Sequence, residues 1–413
     1  MRTKLDRIKK DIEALSEFNA TPGKGLTRFS LTEEDRQARD YLKDQLSKLD
    51  VKIYEDAAGS IFARRKGLKD ELPVIMIGSH FDSVKNGGNF DGPAGVIMAL
   101  EILRVLDENN IKTNYPIEFV AMIEEEGGRF GAGVFGSRAM AGMVDYEQLK
   151  NNTDENGISM AKAFEEFGFD PKKIEDSKRA SEDIKAFIEL HIEQGPVLEN
   201  NNKDFGIIDY VVGINHLDII IQGRSDHAGT TPMDMRADAM SVASKVISKI
   251  DQYAISEDNG TVATVGSLEI KPGATNIVPS QVKFTLDLRS KEYKSIENVK
   301  EKIQKELNDL IKKNKDITFE IKTMLDIEPV EMSQEINQYF KKSAESENYA
   351  YEMMTSGAGH DAMIMGSLTD VGLIFVPSKN GRSHCPEEWT DYEDLQKGIE
   401  VIYQTVLVLG EEQ

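Results

Sequence analysis

The sequence predicts an α/β protein built on a mostly parallel sheet, with a smaller α+β unit inserted into it. Three observations carry this expectation. Short apolar runs that end in turn residues alternate with segments of helical spacing through the first third of the chain. A β-α-β-β-α-β order then occupies the middle. The helix and strand alternation returns over 328–413 and completes the first domain around the insertion.

Taken in order, residues 5–19 and 32–49 have helical spacing, and Thr32-x-x-Asp35 resembles a capping box. Residues 73–79, Pro-Val-Ile-Met-Ile-Gly-Ser, read as a buried strand, followed by a Gly-rich loop and a helix from about 93 to 107. Residues 116–123 read as a second such strand, and the charged stretch 150–184 as surface helix and loop. Strand 216–222, helix 236–254, strands 261–270 and 281–289, helix 293–314 and strand 317–325 follow. That order is the split βαβ arrangement of a ferredoxin-like domain. It sets boundaries near 213 and 327, so that 1–212 and 327–413 form one discontinuous domain and 213–326 the other.

Composition narrows the partners. With 39% hydrophobic and 30% charged residues over 413 positions, wholesale disorder is excluded. A formal net charge of -22 repels phosphate backbones and anionic lipid, so neither nucleic acid nor a membrane surface is an expected partner. The single cysteine, Cys385, forbids an intrachain disulfide and suits a reducing compartment. The charged start shows no apolar signal region, and no run of about eighteen apolar residues occurs. A cytoplasmic location is the expectation.

The chemistry concentrates around the histidines, of which there are six. His80 follows the strand at 73–79, where open α/β sheets place their ligand crevice. It is either a metal ligand with Asp82 orienting its ring, or part of a polar strand end. Asp91, between Asn89-Phe90 and Gly92-Pro93, either bridges cations through its two oxygens or caps the helix that Pro93 opens. Glu124-Glu125-Glu126 ends the strand at 116–123. Three adjacent carboxylates repel one another unless a cation offsets them or bulk water surrounds them. With a cation present, one would ligate and a neighbour could serve as general base. His191 and His384 also lie near apparent strand ends. Cys385 reads as a bystander thiol beside such oxygen-rich partners, His216 as an ordinary strand residue, and His360 as a structural histidine at a helix start. Gly131-x-Gly133-x-x-Gly136 matches a dinucleotide fingerprint in form only, because the Glu-rich turn separates it from the strand.

Together these segments resemble the hydantoinase/carbamoylase amidases, a branch of the aminoacylase and carboxypeptidase clan of dinuclear metallohydrolases. The matching motifs are His80-x-Asp82, Gly88-x-x-Asp91-Gly92, Glu125-Glu126-Gly127 and His191-x-Glu193-Gln194-Gly195-Pro196. They continue with His227-Ala228-Gly229-Thr230-Thr231-Pro232-Met233, Gly273-Ala274-Thr275-Asn276, Gly357-Ala358-Gly359-His360-Asp361 and Ser383-His384, in family order across nearly the whole chain.

The resemblance implies two divalent ions per subunit, Zn2+ or Mn2+ with Co2+ or Ni2+ also admissible. His80 and His191 would hold one ion, Glu126 and His384 the other, and Asp91 both. Glu125 would be the general base and His227 the oxyanion donor. Gln194, His227, Asn276, Arg289 and the turn Gly357, Ala358, Gly359 would contact substrate. The inserted domain would be a lid and dimerisation domain whose histidine and asparagine reach the partner subunit's site, which implies a homodimer. The implied reaction is hydrolysis of the carbamoyl C–N bond of an N-carbamoyl-L-amino acid. Allantoate amidohydrolase and β-ureidopropionase are alternatives, and an aminopeptidase or dipeptidase of the same clan is a more distant one. Arg289 has a competing reading as half of an ion pair with Asp287, two residues away on one strand face.

Overall fold

The structure, a computed structural model, describes residues 3–131, 133–312 and 316–411. In chain order the strands are β1 (Lys52–Glu55), β2 (Ile61–Arg65), β3 (Val74–His80), β4 (Ile117–Met122), β5 (Ile184–Ile192), β6 (Phe205–Val211), β7 (Gly213–Gln222), β8 (Val262–Lys271), β9 (Gln281–Ser290), β10 (Thr318–Ile327), β11 (Val330–Glu331), β12 (Tyr351–Ser356) and β13 (Asp370–Val376). The chain divides into two compact units: residues up to Asp209 with Met332–Met354 and His360 onward, and Tyr210–Glu331 with Thr355–Gly359.

The first unit is organised by a sheet that runs β1-β2-β4-β3-β5-β13-β6. Its centre, β4-β3-β5-β13, is parallel. The flanking β1, β2 and β6 run antiparallel to their neighbours. The antiparallel flank β1-β2 goes beyond the sequence expectation, because β1 is a short, half-exposed run, Lys-Ile-Tyr-Glu, without a clear apolar period. Every residue of β3 and β4 is buried, as expected for parallel strands covered on both faces. One cover is the helix Pro93–Glu108, apolar nearly all round and buried from Pro93 through Leu106. The helix Glu33–Leu46 starts where Thr32 accepts the Asp35 N–H, while Asp35 in turn accepts the Leu31 N–H at 2.6 Å.

One expectation is corrected here. The stretch 150–184 is not simply surface. Its helix Met160–Phe167, capped by Ser159, turns Met160, Ala163 and Phe164 into a second small core with Phe130, Phe135, Leu149 and Ile174. Charged residues cover its outer side, which is why composition alone reads it as polar.

The second unit holds β7, β8, β9 and β10 in an antiparallel sheet of order β10-β7-β9-β8. Helices Ala239–Ile255 and Tyr293–Ile311 share one core with the inward residues Val282, Phe284, Leu286 and Leu288 of β9. The predicted helix end at 313–314 lies outside the described residues. Thr355–Gly359 also belongs to this unit, although a boundary at 327 assigns it to the first domain. Hydrogen bonds far apart in sequence hold it there: Val212 N donates to Ser356 O at 3.0 Å and Arg289 Nη1 to Gly357 O at 2.7 Å. Among the described residues, no helix is long and apolar enough to cross a membrane.

Candidate metal centre

The parallel centre of the sheet places its carboxyl ends, and the loops that leave them, side by side. His80 is the last residue of β3 and pairs with Met122 at the end of β4. His191 lies on β5, opposite Phe375 of β13. Asp91 sits in the loop after β3, Glu126 in the turn after β4, and His384 beyond β13. These five residues form two groups that share Asp91: His80, Asp91, His191, and Asp91, Glu126, His384. Within each, the candidate donor atoms lie within 4.8 Å of one another.

Asp91 uses one oxygen toward each group. Its Oδ1 is 3.1 Å from His191 Nε2 and its Oδ2 3.1 Å from His384 Nε2. The ring nitrogens of His80 and His191 are 3.4 Å apart, as are His384 Nε2 and Glu126 Oε1. The first group is buried, whereas the His384 side chain is 50% exposed, so the second faces solvent. Burial raises the Asp91 carboxyl, but the imidazoles of His191 and His384 outweigh it and hold the group well below the usual carboxylate range. The hydrogen bond to Asp91 raises His384 to about 9, while burial lowers His191 to about 4.

The surrounding carboxylates shift the other way. Burial, then the charge on Asp91, raises Glu126 to about 8. Burial also raises Glu125 well above its usual range, with His80 opposing. A divalent cation fits this setting on two counts. Asp91 Oδ1 is buried without a hydrogen-bond partner, which is costly unless another partner takes its lone pair. The donors are imidazole nitrogens and carboxylate oxygens, a mixture suited to Zn2+, Mn2+, Co2+ or Ni2+.

The turn after β4 sorts its three glutamates. Glu124, at φ 53°, points into the protein, where Oε1 accepts the Phe130 N–H at 2.9 Å. Glu125 then lies with Oε2 3.7 Å from His80 Nε2, and Glu126 reaches His384. Asp82 has a different first task from the one expected. Its carboxylate accepts the backbone N–H groups of Glu125 at 3.0 Å and Glu126 at 3.2 Å. The His80 Nδ1 contact at 3.2 Å goes to the Asp82 carbonyl, and the carboxylate is 3.6 Å away, beyond a good hydrogen bond. Asp82 therefore ties the glutamate turn to the end of β3. Gln194, at φ 57°, donates its amide to Asp91 Oδ2 at 2.8 Å. His360 is buried at the start of the helix Asp361–Met365, with its ring centroid 4.4 Å from that of His191. Non-glycine residues at positive φ, here Glu124, Gln194 and His384, hold strained backbone of a kind that gathers at functional sites.

In the second unit, His227 bridges to Ile277, and Ala228 N donates to Asn276 O at 3.0 Å, so these two loops are neighbours. The Gly229 and Thr230 N–H groups point at His227 Nδ1 from 3.1 and 3.2 Å. With Nδ1 accepting, the neutral ring carries its proton on Nε2 and can donate from there. Arg289 is already engaged: Nε and Nη2 meet Asp287, with Nη2 at 2.9 Å, and Nη1 donates to Gly357 O. The ion pair that the strand spacing allows does form, and it orients the guanidinium toward the turn Gly357–Gly359.

Three supporting residues escaped the sequence reading. Arg28 is fully buried and donates from Nε to Phe81 O and from Nη1 to Leu15 O, both at 2.7 Å, fixing the backbone between His80 and Asp82. Glu189, two residues before His191, accepts from Ser79 Oγ at 2.6 Å and Ala362 N at 2.9 Å. Glu388 accepts from the Asp91 loop. Nothing in the local sequence separates Glu388 from its neighbour Glu387, which is an exposed partner of Arg382.

The model of Peptidase family M20/M25/M40 matches residues 76–408. The chain belongs to that family. It is 42% identical to an N-carbamoyl-L-amino-acid amidohydrolase of Paenarthrobacter aurescens, over 99% of this chain and 98% of the relative. It is 33% identical to the allantoate amidohydrolase of Escherichia coli K12, over 96% of this chain and 95% of that one. A crystal structure of a hydantoinase/carbamoylase family amidase from Burkholderia multivorans superposes with a TM-score of 0.90 at 28% identity, covering 100% of this chain and 99% of that one. The M20 chain thus shares its family with metal-dependent hydrolases and its branch with amidases of non-peptide C–N bonds.

Proposed function

We propose that this chain is a metal-dependent amidohydrolase that cleaves the carbamoyl C–N bond of an N-carbamoyl-L-amino acid. The observation that carries the reading is the pair of donor groups sharing Asp91, with the Glu125 carboxylate beside His80. Two ions would be held, one by His80, Asp91 and His191 and one by Asp91, Glu126 and His384. When bound, such ions lower the pKa of a water and polarise the substrate carbonyl.

The chain's own groups do the rest. Glu125, 10% exposed at its side chain, takes a proton from the attacking water and returns it to the leaving nitrogen as the C–N bond breaks. The amino acid departs through that nitrogen, and the attacked carbonyl carbon ends in carbamic acid, which decomposes to ammonia and carbon dioxide. Asp82 holds Glu125 and Glu126 through their backbone N–H groups, which limits the reorganisation needed at the reacting centre. In the homodimer, the lid's His227, donating from Nε2, would meet the developing oxyanion in the partner subunit's site. Gln194, Asn276 and the turn Gly357, Ala358, Gly359 would present polar groups to the ureido and carboxylate ends, and Arg289 would offer the carboxylate the N–H groups that Asp287 and the Gly357 carbonyl leave over. We read the second unit, by its β-α-β-β-α-β order and four-stranded antiparallel sheet, as a ferredoxin-like lid through which a cytoplasmic homodimer assembles. The domain limits in this reading are 1–212 with 327–413 for the metal-binding domain, apart from the turn Thr355–Gly359, which goes with the lid at 213–326.

The allantoate relative supports a second reading in which the substrate is allantoate, and 3-ureidopropionate has the same ureido and carboxylate groups. Apoprotein reloaded with Zn2+, Mn2+, Co2+ or Ni2+ and offered N-carbamoyl-L-amino acids, allantoate, 3-ureidopropionate and dipeptides separates these. Ammonia release from N-carbamoyl-L-amino acids is expected. Hydrolysis of dipeptides alone would move the chain to the peptidases of the clan.

A further inference from the structure

Two segments that carry candidate ligands lie almost three hundred residues apart: Gly88–Asp91 and Ser383–His384. One side chain joins them. Glu388 is 4% exposed. Its Oε1 accepts the backbone N–H groups of Phe90 at 2.9 Å and Asp91 at 3.1 Å. Its Oε2 lies 3.0 Å from Ser383 Oγ, which is also 3.0 Å from Asp91 Oδ2. That hydroxyl has one proton and serves one carboxylate at a time. The loop is shaped around this side chain: a Cβ at Gly88 would sit 2.2 Å from Glu388 Cδ and Oε1. His384, the neighbour of Ser383, holds a positive φ of 55° that L side chains rarely adopt.

We propose that Glu388 is a positioning residue for the metal centre. It fixes the Asp91 loop against the Ser383–His384 turn, so that Asp91 and His384 present their oxygen and nitrogen to a common ion. The inference rests on the metal-binding reading above and adds a residue to it. Glu388 touches neither substrate nor ion. Its two oxygens are committed to backbone N–H groups and a hydroxyl, and it acts through Asp91 and Ser383. Outer partners of metal ligands set ligand direction, and removing one typically lowers metal affinity by about 10- to 100-fold.

The test measures ion binding rather than turnover. Apoprotein of wild type, Glu388→Ala and Glu388→Gln is titrated with Co2+ against a chromophoric chelator, and the visible Co2+ spectrum is recorded at each equivalent. The melting curve of each apoprotein checks that it folds. Wild type is expected to take up two ions. Glu388→Ala should bind one of them about 10- to 100-fold more weakly, with an altered spectrum for that ion. Glu388→Gln keeps a carbonyl oxygen for the two N–H groups and an amide for Ser383 Oγ, so it should restore most of the affinity. If Glu388→Ala does not fold, Glu388→Asp, which keeps the charge but shortens the reach, is read in the same way. A folded Glu388→Ala, or Glu388→Asp in its place, with wild-type affinity for both ions and an unchanged spectrum overturns the assignment. A wild-type chain that takes up no ion would instead overturn the metal-binding reading, and this inference with it.

Discussion

Adding a single methyl group at Gly92 probes the centre's geometry. Gly92 sits between Asp91 and the helix Pro93–Glu108, at φ 81° and ψ −58°. A residue with a Cβ pays about 1–3 kcal/mol to hold such a backbone. The Cβ would also lie 2.3 Å from His80 Cε1 and 2.4 Å from its Nδ1. Carbon contacts are comfortable only from about 3.5 Å, so the ring must retreat by about 1 Å. Forcing extra volume into a closed site adds about 1–3 kcal/mol, for a total cost of about 2–6 kcal/mol. Metal–ligand distances tolerate about 0.2 Å, so a displaced His80 no longer ligates. Gly92→Ala should therefore lower the guanidinium midpoint of the apoprotein and weaken ion binding by more than about 100-fold, beyond the loss of a supporting partner. Gly260→Ala is the control. Gly260 has a similar φ of 82°, but nothing within 4 Å of its Cβ position. It should lose stability and bind ions normally. Gly92→Ala with unimpaired ion binding would refute the placement of His80 against this loop.

Other consequences follow from the same geometry. Glu125→Gln should retain both ions by elemental analysis and lose about 10²–10⁴ in kcat, the range expected of a general base; turnover equal to wild type would remove Glu125 from that role. The metal-free chain should lose stability as pH rises from 6.5 to 9. Burial raises Glu124 to about 7, and Glu126 and Glu189 to about 8, against 4.5 when unfolded, and the bond to Asp91 raises His384 from 6.5 to about 9. The folded chain then holds protons that the unfolded chain has released, so unfolding free energy falls with pH. His191, lowered to about 4, acts the opposite way but only below 6.5. Saturating ion should offset this decline most at high pH, where the ligands are free of protons; denaturation midpoints with and without ion, measured across that range, decide it. Arg289→Lys should raise KM for a ureido acid with a smaller effect on kcat, because an ammonium cannot hold both Asp287 and the Gly357 carbonyl in the guanidinium geometry.

The order of the central strands and of the inserted unit was legible in the sequence because their signals are local, whereas β1, without a clear apolar period, was not. Apolar runs mark β3, β4 and β13, and helical spacing with a Pro93 start marks the helix behind the site. The position of histidines and acids at strand ends was legible too, since a parallel sheet collects those ends along one edge. Direction was not. Glu124, Glu125 and Glu126 are equivalent as sequence, and only the positive φ at Glu124 turns it inward while its neighbours face His80 and His384. Asp82 reads as the partner of His80, yet in the folded chain it holds the next turn's N–H groups, which a pattern two residues long cannot reveal. The exposed Glu387 and the buried Glu388 differ only in what the loop from Gly88 to Asp91 brings against them, 297 to 298 residues away along the chain. Residue types and their periodicity determined the elements and the kind of chemistry. Which carboxylate meets which N–H or imidazole was decided by tertiary structure, because hydrogen bonds and ligand sets depend on ångström-scale approach between segments that no local preference links.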